Sequence, residues 1–156
     1  MVKLNLGCGY KKLDGYVNID KRSECEPDHV LDIAVSGLPY DDNTVGEIRS
    51  MDFLEHIPLG RTVFVIEEIW RVLKDGGIFE HQTPSTDGRG AFQDPNHLSF
   101  WNINSWLYYD IEMPTLREQT GIKAIFKMDR LFDLITNNQD HVIHTYGRMF
   151  AVKSEK

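Results

Sequence analysis

Three features in the first third of the chain have residue types suited to holding a nucleoside. Gly7-Cys8-Gly9 interrupts an apolar run from Val2 to Leu6. Glycines at the end of a strand let a ligand approach the backbone closely and permit positive φ, and the carboxyl edge of an open α/β sheet is where such ligands bind. Asp20 closes the next run, Val17-Asn18-Ile19, in position to accept from both hydroxyls of a ribose. Asp32 closes a third run that starts at His29. There a carboxylate can accept from an exocyclic amine while the N–H of Ile33 donates to a ring nitrogen. Alone, each is also what a tight turn or a solvated strand-end acid looks like. In this order they describe a pocket for adenosine. Phosphate fits poorly, because Gly7-Cys8-Gly9-Tyr10-Lys11-Lys12 lacks the third glycine of a dinucleotide loop and no G-x-x-x-x-G-K-[ST] occurs. The interval to the second strand is also too short for a full helix whose N-terminus would hold a pyrophosphate.

A second group lies in the middle of the chain, in Phe92-Gln-Asp94-Pro-Asn-His97-Leu-Ser-Phe100-Trp101. A carboxylate close to a histidine can orient the imidazole as a base, so Asp94 and His97 are the candidate catalytic pair. Phe92, Phe100 and Trp101 are the candidate walls of a substrate pocket, with packing of the loop as the plainer alternative. His56, His81 and His97 with Asp94 offer metal-ligand chemistry, but their spacing follows no metal motif. No metal is expected.

The elements that must position these residues follow from periodicity and turn chemistry. Strands are expected at Val2–Leu6, Val17–Asp20, His29–Ile33 and Val45–Met51. Val63, Ile66, Ile69, Trp70 and Leu73 recur at helical spacing, with Asp75-Gly76-Gly77 as the stop and a strand from Ile78 to Thr83 after it. Residues 84–104 form a long polar loop with buried aromatic anchors, and Asn104-Ser105 is expected to cap a short helix carrying Trp106. Two last segments, 122–135 and 141–153, read as an antiparallel hairpin, or as a strand with a helical turn before the final strand. Strands interleaved with a helix and loops imply an α/β sheet, largely parallel in its first half.

The sequence Leu4-Asn5-Leu6-Gly7-Cys8-Gly9, then Val17-Asn18-Ile19-Asp20, Leu38-Pro39-Tyr40, Phe53-Leu54-Glu55-His56 and Trp70-Arg71-Val72-Leu73-Lys74-Asp75-Gly76-Gly77 resembles the class I S-adenosylmethionine-dependent methyltransferases. Residues 92–109, with D-P-x-H and F-W, resemble a short bacterial and phage subgroup. The resemblance implies a Rossmann-like, mostly parallel sheet with a C-terminal antiparallel hairpin and a reduced first helix. It implies S-adenosylmethionine as cofactor, with Gly7, Cys8 and Gly9 at the methionine part, Asp20 at the ribose, and Asp32 with Ile33 at the adenine. Ser50 and Met51 would line the pocket, with Leu54 and His56 near it. Asn5 stands where the family commonly has an acid, Tyr10-Lys11 replaces the continuing glycine, and Gly46 replaces a usual Asp.

Composition bounds the rest. The 156 residues are 41% hydrophobic and 26% charged, which is globular, and 24 acidic against 17 basic residues give a net charge of −7. That balance argues against general nucleic-acid binding. No apolar run approaches the ~18 residues of a membrane span, no signal peptide is visible, and two cysteines outside any metal spacing indicate a reducing, cytoplasmic setting. One domain is expected: residues 3–84 as the cofactor half, 85–110 as an active-site cover and 121–153 as terminal strands. The expected activity is methyl transfer to a small molecule, with a homo-oligomer as a possible assembly. A catalytically inactive cofactor-binding partner subunit and another enzyme using the same cofactor are the alternatives.

Overall fold

The computed structural model describes residues 1–153. Seven strands form one sheet in the order β3-β2-β1-β4-β5-β7-β6. They are β1 (Val2–Leu6), β2 (Val17–Asp20), β3 (His29–Val30), β4 (Val45–Met51), β5 (Leu73–Pro84), β6 (Phe126–Asn137) and β7 (Val142–Ala151). The first five pair in parallel, while β7 inserts antiparallel beside β5 and forms the expected hairpin with β6.

Helices cover one face. Leu4, Leu6, Ile19, Ile48, Phe79 and Met149 belong to a single core with Val65, Ile66, Ile69 and Val72 of α2 (Thr62–Val72). Ile66 and Ile69 of the stripe read from the sequence are buried, but Val63 is exposed and Trp70 half-buried, and Val65 and Val72 complete the buried side of α2. The helix stops earlier than Asp75-Gly76-Gly77. Leu73 turns extended, at φ −65° and ψ 141°, and pairs with Val45, so the glycines bend the start of β5 instead of capping α2.

The middle of the opposite face is bare among the described residues; the short helix at 90–93 meets only its end, where Gly90 lies against Pro84 and Val142. Strand alternation turns Lys3, Glu47, Arg49, Glu80 and Arg148 onto this face, and they pair across strands: Lys3–Glu47 at 2.8 Å, Arg49–Glu80 at 3.7 Å and Arg148–Asp129 at 3.6 Å, with the Tyr16 and Tyr146 hydroxyls donating to Glu47 and Glu80. The reduced first helix explains this bareness. In its place residues 8–16 form a loop tied down by two buried asparagines: Asn5 Nδ2 donates to Asn18 Oδ1 (2.9 Å) and Lys11 O (3.1 Å), and Asn18 Oδ1 also accepts from Leu13 N–H (2.8 Å). Asn5 is thus a loop anchor.

Two further expectations are corrected. The third strand ends at Val30. Asp32 is the N-cap of α1 (Ile33–Ser36), its carboxylate accepting from Ala34 N–H at 3.0 Å, because an Asp before a short apolar turn satisfies an orphan helix donor. The short helix carrying Trp106 is a 3-10 segment, Ile103–Tyr109, capped by Asn102 in a capping box with Ser105, and not by Asn104. Two short helices complete the chain, α3 (Gly90–Gln93) and α4 (Pro114–Thr120). No described helix is long and apolar enough to cross a membrane.

Candidate active site

The turn after β1 is built by its glycines. Gly7 and Gly9 take φ +65° and +48°, which brings the N–H groups of Gly7 and Cys8 to the carbonyl of Ile19 at 2.8 and 3.1 Å. A side chain on Gly7 would collide with Phe53, whose ring lies against the bare Cα. Gly9 N–H donates to Asp20 Oδ2 at 2.8 Å, and Arg22 N–H to Oδ1 at 2.9 Å. Burial raises the Asp20 pKa, but these two N–H groups and the Arg22 guanidinium outweigh it and hold the carboxyl below its usual range. Asp20 is therefore a fixed anion at the carboxyl rim of the sheet, and each oxygen keeps acceptor capacity beyond its backbone bond.

Beside this turn lies a cleft of about 330 Å³ lined by Asn5, Gly7, Cys8, Gly9, Arg49, Met51 and Asp52 among others. Of the expected cofactor residues, Gly7, Cys8, Gly9 and Met51 line it. Ser50 does not: alternation along β4 sends its hydroxyl to the helix-covered face, where it is fully buried without a hydrogen-bond partner. Asp20, Asp32 and Ile33 lie outside the cleft wall on the β2 and β3 side. As the first residue of α1, Ile33 has an N–H with no intrahelical acceptor. Cys8 is buried, and burial followed by the nearby Asp20 charge pushes its thiol up, so it stays protonated and unreactive.

The middle loop returns to β4's end through backbone bonds. Leu98 and Ser99 N–H both donate to Glu55 O, at 2.7 and 3.0 Å, and Ser99 Oγ donates to Leu54 O at 2.9 Å. Leu54 is core, and this suture sets His97 beside His56, with ring centroids 5.1 Å apart. Asp94 does not orient His97 as expected. Its Oδ2 stands 3.7 Å from His97 Nε2, while its Oδ1 accepts from Asn96. The Ala91 carbonyl does that work, 2.9 Å from His97 Nδ1.

Nor do the three aromatics enclose one pocket. Trp101 is core, stacked on Trp106 at 5.0 Å, whereas Phe92 and Phe100 stack on each other at the surface. Phe100 and Trp101 do share a separate groove of about 260 Å³ with Tyr108, Tyr109 and Ile122. His81, considered as a metal ligand, is fully buried, stacked 3.6 Å from Trp106, and pushed down to about 3 by desolvation.

Glu55 is the residue sequence reasoning passed over. It is 2% exposed, its Oε2 has no hydrogen-bond partner, and burial pushes its pKa up to about 8. Its sequence signal is its adjacency to His56 in the 3-10 turn Leu54–His56 that follows β4.

No protein-family model and no curated protein matches the chain. Solved structures do. A structure of the complex between the Haloferax volcanii Trm112 methyltransferase activator and a methyltransferase aligns over 99% of this chain and 83% of its own, at 14% identity and a TM-score of 0.72. The [4+2]-cyclase SpnF aligns over 97% of this chain and 74% of its own, at 14% identity and 0.68. The N-methyltransferase NodS from Bradyrhizobium japonicum, in complex with S-adenosyl-L-homocysteine, aligns over 97% and 78%, at 12% identity and 0.65. The sheet order, the antiparallel terminal hairpin and these alignments together give the chain the Rossmann-like fold of S-adenosylmethionine-dependent methyltransferases.

Proposed function

We infer that the protein is an S-adenosylmethionine-dependent methyltransferase acting on a small-molecule acceptor. The observation that carries this reading is the anionic Asp20 held by Gly9 and Arg22 N–H groups beside a positive-φ glycine turn. That arrangement suits a ribose and a backbone-hugging amino-acid moiety and offers nothing to a pyrophosphate. In this reading Gly7, Cys8 and Gly9 receive the methionine part, Asp20 accepts from the ribose hydroxyls, and Asp32 with the Ile33 N–H takes the adenine edge. Met51 packs against the ligand, and Leu54 and His56 support that wall.

The cofactor supplies an electrophilic methyl group on a sulfonium. The chain's own work is to align the acceptor and exclude water. The 94–101 loop does so from residues sutured to Glu55, with Asp94 and His97 as the polar groups facing the acceptor. A small acceptor is favoured by the aromatic groove of about 260 Å³ that Phe100 lines and by the net charge of −7, which disfavours nucleic acid. One finding favours a second reading, the same cofactor cleft serving another reaction: a cyclase shares this fold.

Calorimetry with S-adenosylmethionine, S-adenosylhomocysteine and NAD tests the cofactor. Binding of the first two and not the third is expected, and tight NAD binding overturns the reading. Incubation of metabolite extracts with tritiated cofactor then separates the two reactions, because only a methyltransferase moves label to an acceptor.

A further inference from the structure

We propose that Glu55, His56 and His97 form a binding site for a divalent first-row transition ion. One ligand atom from each lies within 4.8 Å of the other two. A triangle of that size has its centre about 2.8 Å from each corner, so each donor closes by at most ~0.8 Å to reach the 2.0–2.2 Å of a metal bond.

The two histidines are already set as ligands. His56 Nδ1 lies 3.2 Å from the carbonyl of Asn96, and His97 Nδ1 lies 2.9 Å from the carbonyl of Ala91. A carbonyl only accepts, so each Nδ1 carries the proton and each Nε2 keeps its lone pair. A backbone acceptor that fixes one imidazole nitrogen and leaves the other to take an ion is the usual support of a metal-bound histidine, and at His97 that other nitrogen has Asp94 Oδ2 3.7 Å away.

Glu55 supplies an independent reason. A carboxyl group at 2% exposure with an oxygen lacking any hydrogen bond is a costly group to bury, and it lies in one 4.8 Å cluster with a nitrogen of each imidazole. A cation there satisfies it. The two segments that carry the ligands are held in place by the Leu98 and Ser99 N–H bonds to Glu55 O, so the cluster is preorganised by backbone and not by the side chains themselves. Two imidazoles and one carboxylate suit zinc, iron, cobalt or manganese in the divalent state. Three protein ligands leave positions open for oxygens of a bound molecule, which makes an oxygen-chelating acceptor the ligand class this ion would hold. That role rests on the function proposed above; the binding of the ion does not.

The chain, stripped with a chelator and free of cofactor, is titrated with Co²⁺ and then Zn²⁺. One equivalent of Co²⁺ with visible ligand-field bands, displaced by Zn²⁺, is expected. His97→Asn, His56→Asn and Glu55→Gln should each lower affinity at least tenfold, while His29→Asn on the exposed edge strand β3 leaves it unchanged. Circular dichroism establishes that each variant is folded, and His56→Asn, at a half-exposed position, keeps the test available if the Glu55 variant does not fold. Absence of Co²⁺ binding by the unsubstituted chain at micromolar concentration overturns the site, as does equal binding by the His56 and His97 variants. Cofactor calorimetry on the same samples separates the two ideas: failure there with Co²⁺ binding intact removes the proposed function and leaves the ion site.

Discussion

Glu68 and Arg71 are joined bidentately on one turn of α2, Nε to Oε1 at 2.7 Å and Nη2 to Oε2 at 2.9 Å. The pair is a staple for the loop before β4. Arg71 also donates to the carbonyls of Leu38 and Tyr40, each at 2.9 Å, and Glu68 Oε2 accepts from Leu38 N–H. The arginine of the R-V-L-K motif therefore holds a loop to a helix and is no part of the glycine-turn cleft's lining.

Arg71→Ala leaves Glu68 half-buried without its counter-charge and frees two backbone carbonyls. A loss of about 2–4 kcal/mol is expected, which in a domain of this size lowers the melting temperature by roughly 5–12 °C. Arg71→Lys should recover little, because a single ammonium cannot serve the fork. Scanning calorimetry of the two variants checks this, and a lysine variant as stable as the parent would refute the staple.

Asp20→Ala should weaken S-adenosylmethionine binding by about 1–3 kcal/mol, the cost of losing charge-assisted hydrogen bonds to two hydroxyls. Isothermal titration reads this directly. Because Asp20 also fixes Gly9 and Arg22, the Asp20→Asn variant separates charge from geometry. Its affinity should fall nearly as far while its melting temperature changes less than that of Asp20→Ala.

His81 gives the pH dependence a recognisable component. Its imidazole is neutral in the fold and pushed down to about 3 by burial, against roughly 6.5 when unfolded. The stability it permits is complete above pH 6.5 and is lost as pH falls from there toward 3, since the unfolded chain takes up the proton first. Replacing it with leucine removes that component. Relative to the parent, His81→Leu should gain about 2 kcal/mol more at pH 5 than at pH 7. Urea unfolding at the two pH values measures the difference, and an equal effect at both would mean His81 is not buried neutral.

Gly7→Ala combines a left-handed φ with a collision against Phe53. A cost of about 2–4 kcal/mol is expected. Measured on a Phe53→Ala background, the same change should cost only about 1–2 kcal/mol, the backbone strain alone. A double-mutant cycle by chemical denaturation supplies the comparison.

Much of this architecture was legible before any coordinates. The α2 stripe, β1, β2, β4 and the terminal hairpin follow from apolar periodicity and turn residues, which are local properties. The misread boundaries share one cause, that a tertiary partner overrode the local signal. Leu73 leaves the helix because Val45 awaits it, and Asp32 caps a turn because Ile33 and Ala34 behind it fold inward. The site was legible only in part, for the same reason. Gly7, Cys8, Gly9 and Met51 meet at one cleft, but nothing in the spacing of Glu55 and His97, forty-two positions apart, announces that backbone bonds draw them together. Asn5 and Asn18 were equally silent, since their meaning depends on a helix that is absent.

The bare face of the sheet sets the thickness of this protein. A doubly wound sheet is ordinarily a sandwich of three layers, and here two suffice because cross-strand charge pairs, led by Lys3–Glu47 and Arg49–Glu80, make the middle of the sheet wettable. The rim that carries the glycine turn, Asp20 and the Glu55 segment is formed by strand ends and short turns, none of which belongs to the missing layer. A whole tier of helices is therefore separable from the rim. Charge on β1, β4 and β5, the innermost strands, then follows the rules of a surface: swapping Arg49 and Glu80 for each other keeps the sheet wetted, whereas replacing both with leucine lays a hydrophobic plane open to water and invites stacking of one molecule on the next.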